Sequence, residues 1–237
     1  MSFLGHRRVL VVTAVEPERQ AVLRGLAAAG LACHGADRSG DDAGDGSGHR
    51  GADSAVVVEV GGVGSAAAAA ATARVLALHR FDAVLSAGIG GGIGVPTGGT
   101  VIGTASVAAD LGADSPDGFL SLDELGFGSA GVTADPGLVA GLVAALPAAV
   151  SGPVLTVSTV TGTLAGTRDL TARHPDAVAE AMEGFGVATA AEQAGLPFAE
   201  LRTISNPVGP RDRAAWRIGD ALEGLGEAFT ALAKWTA

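Results

Sequence analysis

Residues 9–18 read VLVVTAVEPE, an apolar, β-branched run that gives way to two acids on either side of a proline. A short run of this kind predicts a buried β-strand, Val9–Val15, and the next residues predict a helix over Glu18–Ala29. An acid in the first turn of a helix is favoured by the helix dipole. Glu18 therefore has two interpretations: a stabilising first-turn acid, or a general base held at the carboxyl end of a strand.

Apolar runs of similar length recur along the chain, each bounded by Gly or Pro, and they alternate with segments of helical character. This alternation predicts a buried, mostly parallel sheet with helices on both faces, whose ligands bind at the carboxyl ends of the strands. The further predicted strands are Ala55–Val60, Ala83–Ala87, Thr100–Val107, Val154–Thr159 and Phe198–Ser205. The further predicted helices are Ser65–His79, Asp135–Leu146, Gly184–Ala194 and Ile218–Trp235.

One segment, GADRSGDDAGDGSGHRGAD at Gly35–Asp53, is polar and has no hydrophobic periodicity. Its composition predicts a flexible surface loop. The DDAGDG within it resembles a calcium loop, but the acid spacing does not match the EF-hand pattern. We expect a single domain over residues 1–237, with this loop at about 35–53.

Composition excludes several classes of protein. The 237 residues carry 15 Lys and Arg against 25 Asp and Glu, a net charge of −10, which argues against nucleic-acid binding. One cysteine excludes an internal disulfide and a Cys-cluster metal site. The N-terminus is interpreted as a first strand and not as a signal peptide, and no run is apolar enough for a membrane span. We expect a soluble cytoplasmic protein.

Two glycine-rich stretches follow predicted strands: VGGVGS at Val60–Ser65 and SAGIGGGIG at Ser86–Gly94. Neither has the acid about 20 residues later that a dinucleotide-binding fingerprint requires. A P-loop needs a lysine beside its glycines, and the chain has only Lys234. The remaining interpretation is that these glycines let the backbone approach a flat or hydroxylated ligand closely.

Two further polar positions lie at strand ends. Met182 and Glu183 separate a short strand-like stretch from an Ala-rich helix, and Asn206 ends a strand before Pro207. Met182 could simply fill a gap in the core, and Asn206 could be a turn residue. Glu183 stands among small and apolar residues, and because burying an unpaired acid is costly, it should have a specific polar partner.

Taken together, these features resemble the purine nucleoside phosphorylase / methylthioadenosine nucleosidase superfamily. The resemblance covers roughly residues 8–232 and is carried by five motifs in the family's order. They are AVEPE at 14–18, GVG at 62–64, GIGG at 88–91, MEG at 182–184 and RTISN at 202–206.

The resemblance implies a three-layer αβα fold with a mixed, mostly parallel central sheet, and cleavage of an N-glycosidic bond. It places the water-activating carboxylate on Glu18 and the ribose contacts on Met182 and Glu183. Residues Gly88, Ile89 and Gly90 would lie beside the ribose, with Gly162 and Thr163 beside the base. It further implies a small-molecule nucleoside substrate, no cofactor, no metal, and a homo-oligomer.

Asn206 departs from the aspartate that adenine-specific members carry. An amide cannot act as an acid, but it can donate to a 6-oxo group and accept from N7–H, so it favours a 6-oxopurine. The surrounding stretch ISNPVGPRDRAAW is most similar to members whose nucleoside carries a carboxylated aromatic group on its 5′ side. Arg211, Arg213 and Trp216 are candidates to bind that group, although a solvated helix start would explain them equally well.

Several alternatives stay open at this point. A phosphorylase of the same fold would need arginines near the first loops, where this chain has acids. A methylthioadenosine-type nucleosidase would fit the same motifs except at position 206. A non-catalytic nucleoside-binding protein would not require both Glu18 and Glu183, and a Rossmann-type oxidoreductase is the remaining candidate.

Overall fold

In a computed structural model of the chain, the described residues are 8–31, 33–34 and 56–235. The loop predicted at Gly35–Asp53 lies outside them. Six α-helices are formed in this part of the chain: α1 Glu16–Ala28, α2 Ser65–Leu78, α3 Pro136–Ala145, α4 Leu164–Arg173, α5 Gly184–Gln193 and α6 Ile218–Lys234. The strands are β1 Val9–Thr13, β2 Cys33–His34, β3 Val56–Val60, β4 Ala83–Gly92, β5 Thr100–Ala108, β6 Gly112–Ser115, β7 Gly118–Ser121, β8 Gly131–Thr133, β9 Val150–Thr156, β10 Ala179–Ala181 and β11 Phe198–Pro207.

The central sheet has the order β10-β9-β5-β11-β4-β1-β3-β2, with β8 added beside β5. Most neighbours are parallel, but β5 with β11, β5 with β8 and β4 with β10 are antiparallel. Because β10 bonds to both β9 and β4, the strands β4, β11, β5, β9 and β10 form a closed ring. Strands β6 and β7 form a separate hairpin.

Alternation along the strands divides the core between two faces, because successive side chains of a strand point to opposite sides. In β1, Val9 and Val11 pack with apolar residues of α1, α3 and α6. Leu10 and Val12 of the same strand pack with residues of α2 and α5. The prediction of a three-layer αβα domain with a mixed, mostly parallel sheet is confirmed.

Two differences from the sequence expectation bear on the site. Strand β4 continues through the glycines to Gly92, beyond the predicted end at Ala87, because this glycine run pairs with β10 and β11. Helix α4 was not predicted, and its sequence LAGTRDLTAR buries only Leu170, which leaves little hydrophobic periodicity to detect. No helix in the described ranges is long and apolar enough to cross a membrane.

Candidate active site

A cavity of about 250 Å³ opens where the carboxyl ends of β1, β9, β10 and β11 meet. The glycine-rich end of β4 forms part of its wall. It is the location that a parallel sheet favours for a ligand. The lining residues include Ala14, Val15, Glu18, Val63, Ile89, Gly90, Gly91, Thr161, Gly162, Glu180, Met182, Glu183, Ser205, Asn206, Arg211 and Trp216.

Glu18 lies in the first turn of α1 and is only 3% exposed. Its Oε2 accepts hydrogen bonds from the backbone N–H groups of Ala14 at 2.8 Å and Val15 at 3.2 Å, and its Oε1 accepts from Ile89 at 2.9 Å. A carboxylate has about four acceptor sites, so one site on Oε1 stays free. Glu18 is therefore both a first-turn acid and a carboxylate fixed at the cavity wall.

Burial raises the pKa of Glu18, while the hydrogen bond from Ile89 and the charge of Arg202 oppose that shift. A carboxylate with a raised pKa is a stronger base when ionised than one in water. The position of Glu18 also explains Gly88, which lies beneath it. A Cβ on Gly88 would stand 2.6 Å from Oε1 of Glu18 and 2.8 Å from Nη1 of Arg202, so a larger residue could not fit without a shift.

Glu183 enters the cavity from the turn between β10 and α5 and is 7% exposed. Its Oε2 accepts from the backbone N–H of Met182 and from Nη1 of Arg202, each at 3.3 Å. Its Oε1 accepts a 3.4 Å bond from the backbone N–H of Gly64. The acid therefore has the polar partners that its apolar sequence context predicts.

Arg202 is a fully buried cation on β11 that holds these acids in place. Besides Glu183, its Nε donates to Oε1 of Glu200 at 2.9 Å, and its Nη2 donates to Oγ of Ser86 at 2.9 Å. Burial alone would lower the pKa of Arg202, but the nearby carboxylates of Glu200, Glu183 and Glu18 outweigh it and raise the pKa. Arg202 is therefore a permanent positive charge behind the two cavity acids.

Asn206 is partly buried at the far end of β11 and lines the cavity. Its Oδ1 accepts from Oγ of Ser205 at 2.8 Å, and its Nδ2 donates to the carbonyl of Pro207 at 2.9 Å. These bonds fix the orientation of the amide. One N–H and one lone pair remain for a ligand.

The structure brings most of the other predicted site residues to the same cavity. Ile89, Gly90, Gly162, Met182 and Arg211 line it, whereas Gly88, predicted to lie beside the ribose, is packed against Glu18 and is not a lining residue. The guanidinium of Arg211 lies 5.3 Å from the ring centre of Trp216, which also lines the cavity. Thr163 is placed differently: its hydroxyl caps α4 by accepting from the backbone N–H of Gly166 at 3.0 Å, and it is not among the lining residues.

Sequence reasoning missed two charged residues of this region, Glu180 and Arg202. Arg202 was quoted only as part of a strand motif. Its signal is that Glu200 and Arg202 stand two apart in the predicted strand Phe198–Ser205, so they share one face and must pair if the strand is buried. Glu180 is the other buried acid of the stretch AEAME, in which the sequence analysis singled out only Glu183. Among the described residues, no group of three or more His, Cys, Asp or Glu could hold a metal ion.

Residues 8–234 match the sequence profile of the Phosphorylase superfamily. The chain belongs to this superfamily. The match confirms the family resemblance that the five motifs carry, and it covers all the elements that line the cavity.

Two further comparisons, one by sequence and one by structure, find proteins that are similar to this chain. It is 48% identical over 232 residues to a futalosine hydrolase from Streptomyces coelicolor, covering 95% of this chain and 94% of the relative. A solved 5′-methylthioadenosine/S-adenosylhomocysteine nucleosidase from Colwellia psychrerythraea, in complex with adenine, has a TM-score of 0.73 at 21% identity and covers 98% of this chain and 95% of that chain. A futalosine hydrolase from Helicobacter pylori has a TM-score of 0.74 at 14% identity, covering 94% and 96%. At these identities the two solved structures establish the fold.

Proposed function

We propose that the protein is a nucleosidase that hydrolyses the N-glycosidic bond of futalosine and releases hypoxanthine and dehypoxanthine futalosine. The observation that carries the proposal is that Glu18 of α1, Glu183 of the turn before α5 and Asn206 of β11 line one cavity. The 48% identity to a futalosine hydrolase over nearly the whole chain supports the same substrate.

Glu18 is the general base of the proposed reaction. A water molecule bound to the free acceptor site of its Oε1 attacks C1′ of the ribosyl group as the bond from C1′ to the purine nitrogen breaks. The electrons of that bond pass to the purine, which takes a proton from solvent at N7 and leaves as neutral hypoxanthine. One proton of the attacking water passes to Glu18, which later returns it to solvent. Burial and three backbone hydrogen bonds keep the carboxylate at one position, which favours attack on a single face of the sugar.

Glu183 binds the ribose hydroxyls. Its carboxylate lines the cavity and retains an acceptor site on Oε1 besides the one that Gly64 uses. As the ribosyl group becomes cationic in the transition state, its hydroxyls become better donors, so a negative charge here contributes more to the transition state than to substrate binding.

Asn206 stabilises the departing base. With its amide fixed by Ser205 and Pro207, it offers one donor to the 6-oxo group and one acceptor to N7–H. A 6-aminopurine would present a donor where the site also donates, and the unpaired groups would weaken its binding.

Arg211 and Trp216 form the 5′ side of the proposed site. Futalosine carries a carboxylated aromatic extension there, and an arginine beside an indole suits both a carboxylate and a ring. Arg211 lines the cavity and Trp216 packs near its guanidinium. Arg213 lies in the adjacent short helix and is not a lining residue, so the proposal rests on Arg211.

The charge distribution favours hydrolysis over phosphorolysis. Among the described lining residues, Arg211 is the only cation, and it lies on the 5′ side of the proposed site. Behind the acids, every nitrogen of the Arg202 guanidinium already donates to Glu200, Ser86 or Glu183. A phosphate ion beside Glu18 would meet carboxylates without a free cation to bind it.

The deciding experiment is to incubate the purified protein with futalosine, inosine and methylthioadenosine, each with and without phosphate, and to follow the free base. We expect hypoxanthine release from futalosine at a rate independent of phosphate. Release that requires phosphate would indicate a phosphorylase, and preferential adenine release would indicate a methylthioadenosine-type nucleosidase. A role in menaquinone biosynthesis, a cytoplasmic location and a homo-oligomeric state belong to the same proposal.

A further inference from the structure

Glu200 is a fully buried acid on β11 that does not line the cavity and has no place in the proposed reaction. Its Oε1 accepts from Nε of Arg202 at 2.9 Å. Burial raises the pKa of Glu200, whereas the charge of Arg202 and its hydrogen bond oppose that shift. Apolar residues of similar volume often stabilise a fold as well as a buried ion pair does. The presence of this pair therefore indicates a role besides stability.

Two glycines leave the space that the Glu200 side chain occupies. Gly103 is its register partner on β5, and a Cβ there would stand 2.9 Å from Cβ of Glu200. Gly184 is the first residue of α5, and a Cβ there would overlap both carboxylate oxygens of Glu200. The carboxyl group thus lies beneath the residue that follows Glu183 and beside the guanidinium of Arg202.

The guanidinium of Arg202 presents a different nitrogen to each of its partners. Its Nε donates to Glu200 and its Nη2 to Oγ of Ser86, each at 2.9 Å, while its Nη1 donates to Glu183 at 3.3 Å. Because a guanidinium is planar and rigid, anchoring Nε and Nη2 also fixes the direction of Nη1. Of the two anchors, Glu200 carries a charge, which makes its hydrogen bond the stronger one.

The nitrogen that these anchors direct is the one that faces the cavity acids. A Cβ on Gly88 would lie close to both Nη1 of Arg202 and Oε1 of Glu18, so Nη1 stands near Glu18 as well as Glu183. Its bond to Glu183 is the longest of the three bonds that the guanidinium makes to side chains. A small tilt of the guanidinium would therefore break this bond first.

Building on the proposed function, we propose that Glu200 is a positioning residue, which holds Arg202 so that its Nη1 keeps the carboxylate of Glu183 directed at the ribose hydroxyls. Glu200 itself touches neither the substrate nor the reacting atoms. The carboxylate of Glu183 contributes most when the ribosyl group becomes cationic. A change in its direction should therefore lower kcat more than it raises KM.

The test is a kinetic comparison of the wild type with Glu200→Ala, Glu200→Gln and the exposed control Glu192→Ala. Glutamine retains an oxygen that can accept from Nε of Arg202, whereas alanine does not. For futalosine, we expect kcat of Glu200→Ala to fall by about 10–100-fold, with KM changed by less than about threefold. Glu200→Gln and Glu192→Ala should stay within about threefold of the wild type in both constants.

Substrates that lack a ribose hydroxyl identify the contact through which Glu200 acts. The same four proteins are assayed with the 2′-deoxy and 3′-deoxy forms of futalosine. In the wild type and in Glu200→Gln, removal of a hydroxyl that Glu183 binds should lower kcat/KM by about tenfold or more. In Glu200→Ala the same removal should cost less than about threefold, because the contact has already been lost.

The Nε–H proton of Arg202 gives a readout that needs neither turnover nor a folded alanine variant. Among the described arginines, Arg202 is the only buried one. In ¹H–¹⁵N spectra its Nε–H should therefore exchange with solvent more slowly than those of exposed arginines, both in the wild type and in Glu200→Gln. Exchange as fast as that of an exposed arginine would overturn the proposal.

The kinetic outcomes also separate this inference from the proposed substrate. A lower unfolding midpoint in Glu200→Ala with unchanged kcat would mean a purely structural role and would overturn the proposal, as would a hydroxyl penalty that survives in this variant. If the wild type cleaves inosine or methylthioadenosine but not futalosine, the proposed substrate is wrong. The deoxy forms of the nucleoside that is cleaved then decide the inference about Glu200.

Discussion

Arg202 on β11 donates from Nη1 to Oε2 of Glu183, in the turn before α5, over 3.3 Å. The guanidinium is 1% exposed and also bonds Glu200 and Ser86, so it is a shared partner for the acids behind the cavity wall. An isolated buried charge is costly, and removing one partner of a buried pair exposes that cost.

Replacing Arg202 by Met should therefore destabilise the protein by about 3–5 kcal/mol, because Glu200 and Glu183 would lose their cation. Urea unfolding of the two proteins measures the difference. The matched control is Arg217→Met, which removes an exposed ion pair. The side chains of Arg217 and its partner Asp220 are 64% and 49% exposed. That change should cost about 1 kcal/mol or less. Equal losses in the two variants would contradict the role given to burial.

Replacing Glu18 by Gln should lower kcat for futalosine by about 10²–10⁴-fold, because an amide cannot take the proton of the attacking water. The change keeps the size of the side chain and most of its backbone hydrogen bonds, so the circular dichroism spectrum should not change. Glu16→Gln, two residues earlier and on the exposed surface, is the control and should retain turnover. Near-normal kcat in Glu18→Gln would remove Glu18 from the mechanism.

The rate should fall on acidification with a midpoint above the ordinary range of a glutamic acid, since burial raises the pKa of Glu18 and the base must be ionised to act. A raised pKa means that the folded protein binds this proton more tightly than the unfolded chain does. The contribution of Glu18 to stability is thus largest at low pH and is lost as pH rises through the folded pKa. A profile of kcat/KM against pH, with unfolding followed in parallel, separates the loss of activity caused by protonation of Glu18 from the loss caused by acid denaturation. A flat profile down to the ordinary glutamate range would be incompatible with Glu18 as the base.

Replacing Asn206 by Asp should shift selectivity from 6-oxopurine toward 6-aminopurine nucleosides. The carboxylate removes the N–H that faces the 6-oxo group, and when protonated it can instead donate toward N7. The ratio of kcat/KM for inosine to that for adenosine should fall by about tenfold or more. An unchanged ratio would mean that this amide does not contact the base.

Replacing Arg211 by Ala should raise KM for futalosine by about tenfold while leaving KM for inosine unchanged, because only futalosine has the 5′ carboxylate. The neighbouring Arg213→Ala removes the same charge from a residue outside the lining set and is the control. A rise in KM of the same size for both substrates would assign Arg211 a general role in shaping the pocket.

The sequence predicts the layers of the fold and the order of its main elements, because apolar strands such as Val9–Val15 and helices such as Ser65–His79 carry strong hydrophobic patterns. Their bounds differ from the structure by at most four residues, except that β4 ends five residues later than predicted. Features that depend on residues far apart in the sequence are harder to predict from it. The extension of β4 to Gly92 depends on partners more than 80 residues away in sequence, at Glu180 and Asn206, which no local pattern reveals.

The predicted site residues likewise fall into those that local sequence patterns identify and those whose positions depend on distant parts of the chain. Glu18, Glu183 and Asn206 stand at strand ends, where the fold class itself predicts a ligand, and the structure brings them to one cavity. Thr163 is one residue beyond the lining segment, a shift that only the start of α4 determines. Arg202 bonds to Ser86 on β4 and to Glu183 in the turn after β10, and Glu180 accepts from Thr161 beyond β9. These contacts join residues that are far apart in the sequence, so no local pattern predicts them.

The closed ring of strands also bears on how the molecule opens. A three-residue strand at a sheet edge would fray readily, but β10 is hydrogen-bonded on both sides, to β4 and to β9. Detaching it requires both ladders to break together, so amide protons there should exchange slowly with solvent. Met182 and Glu183 follow directly from this strand and share its rigidity. The segment 210–215, which carries Arg211, is exposed and lies outside the strands, so its amide protons should exchange faster than those of β10.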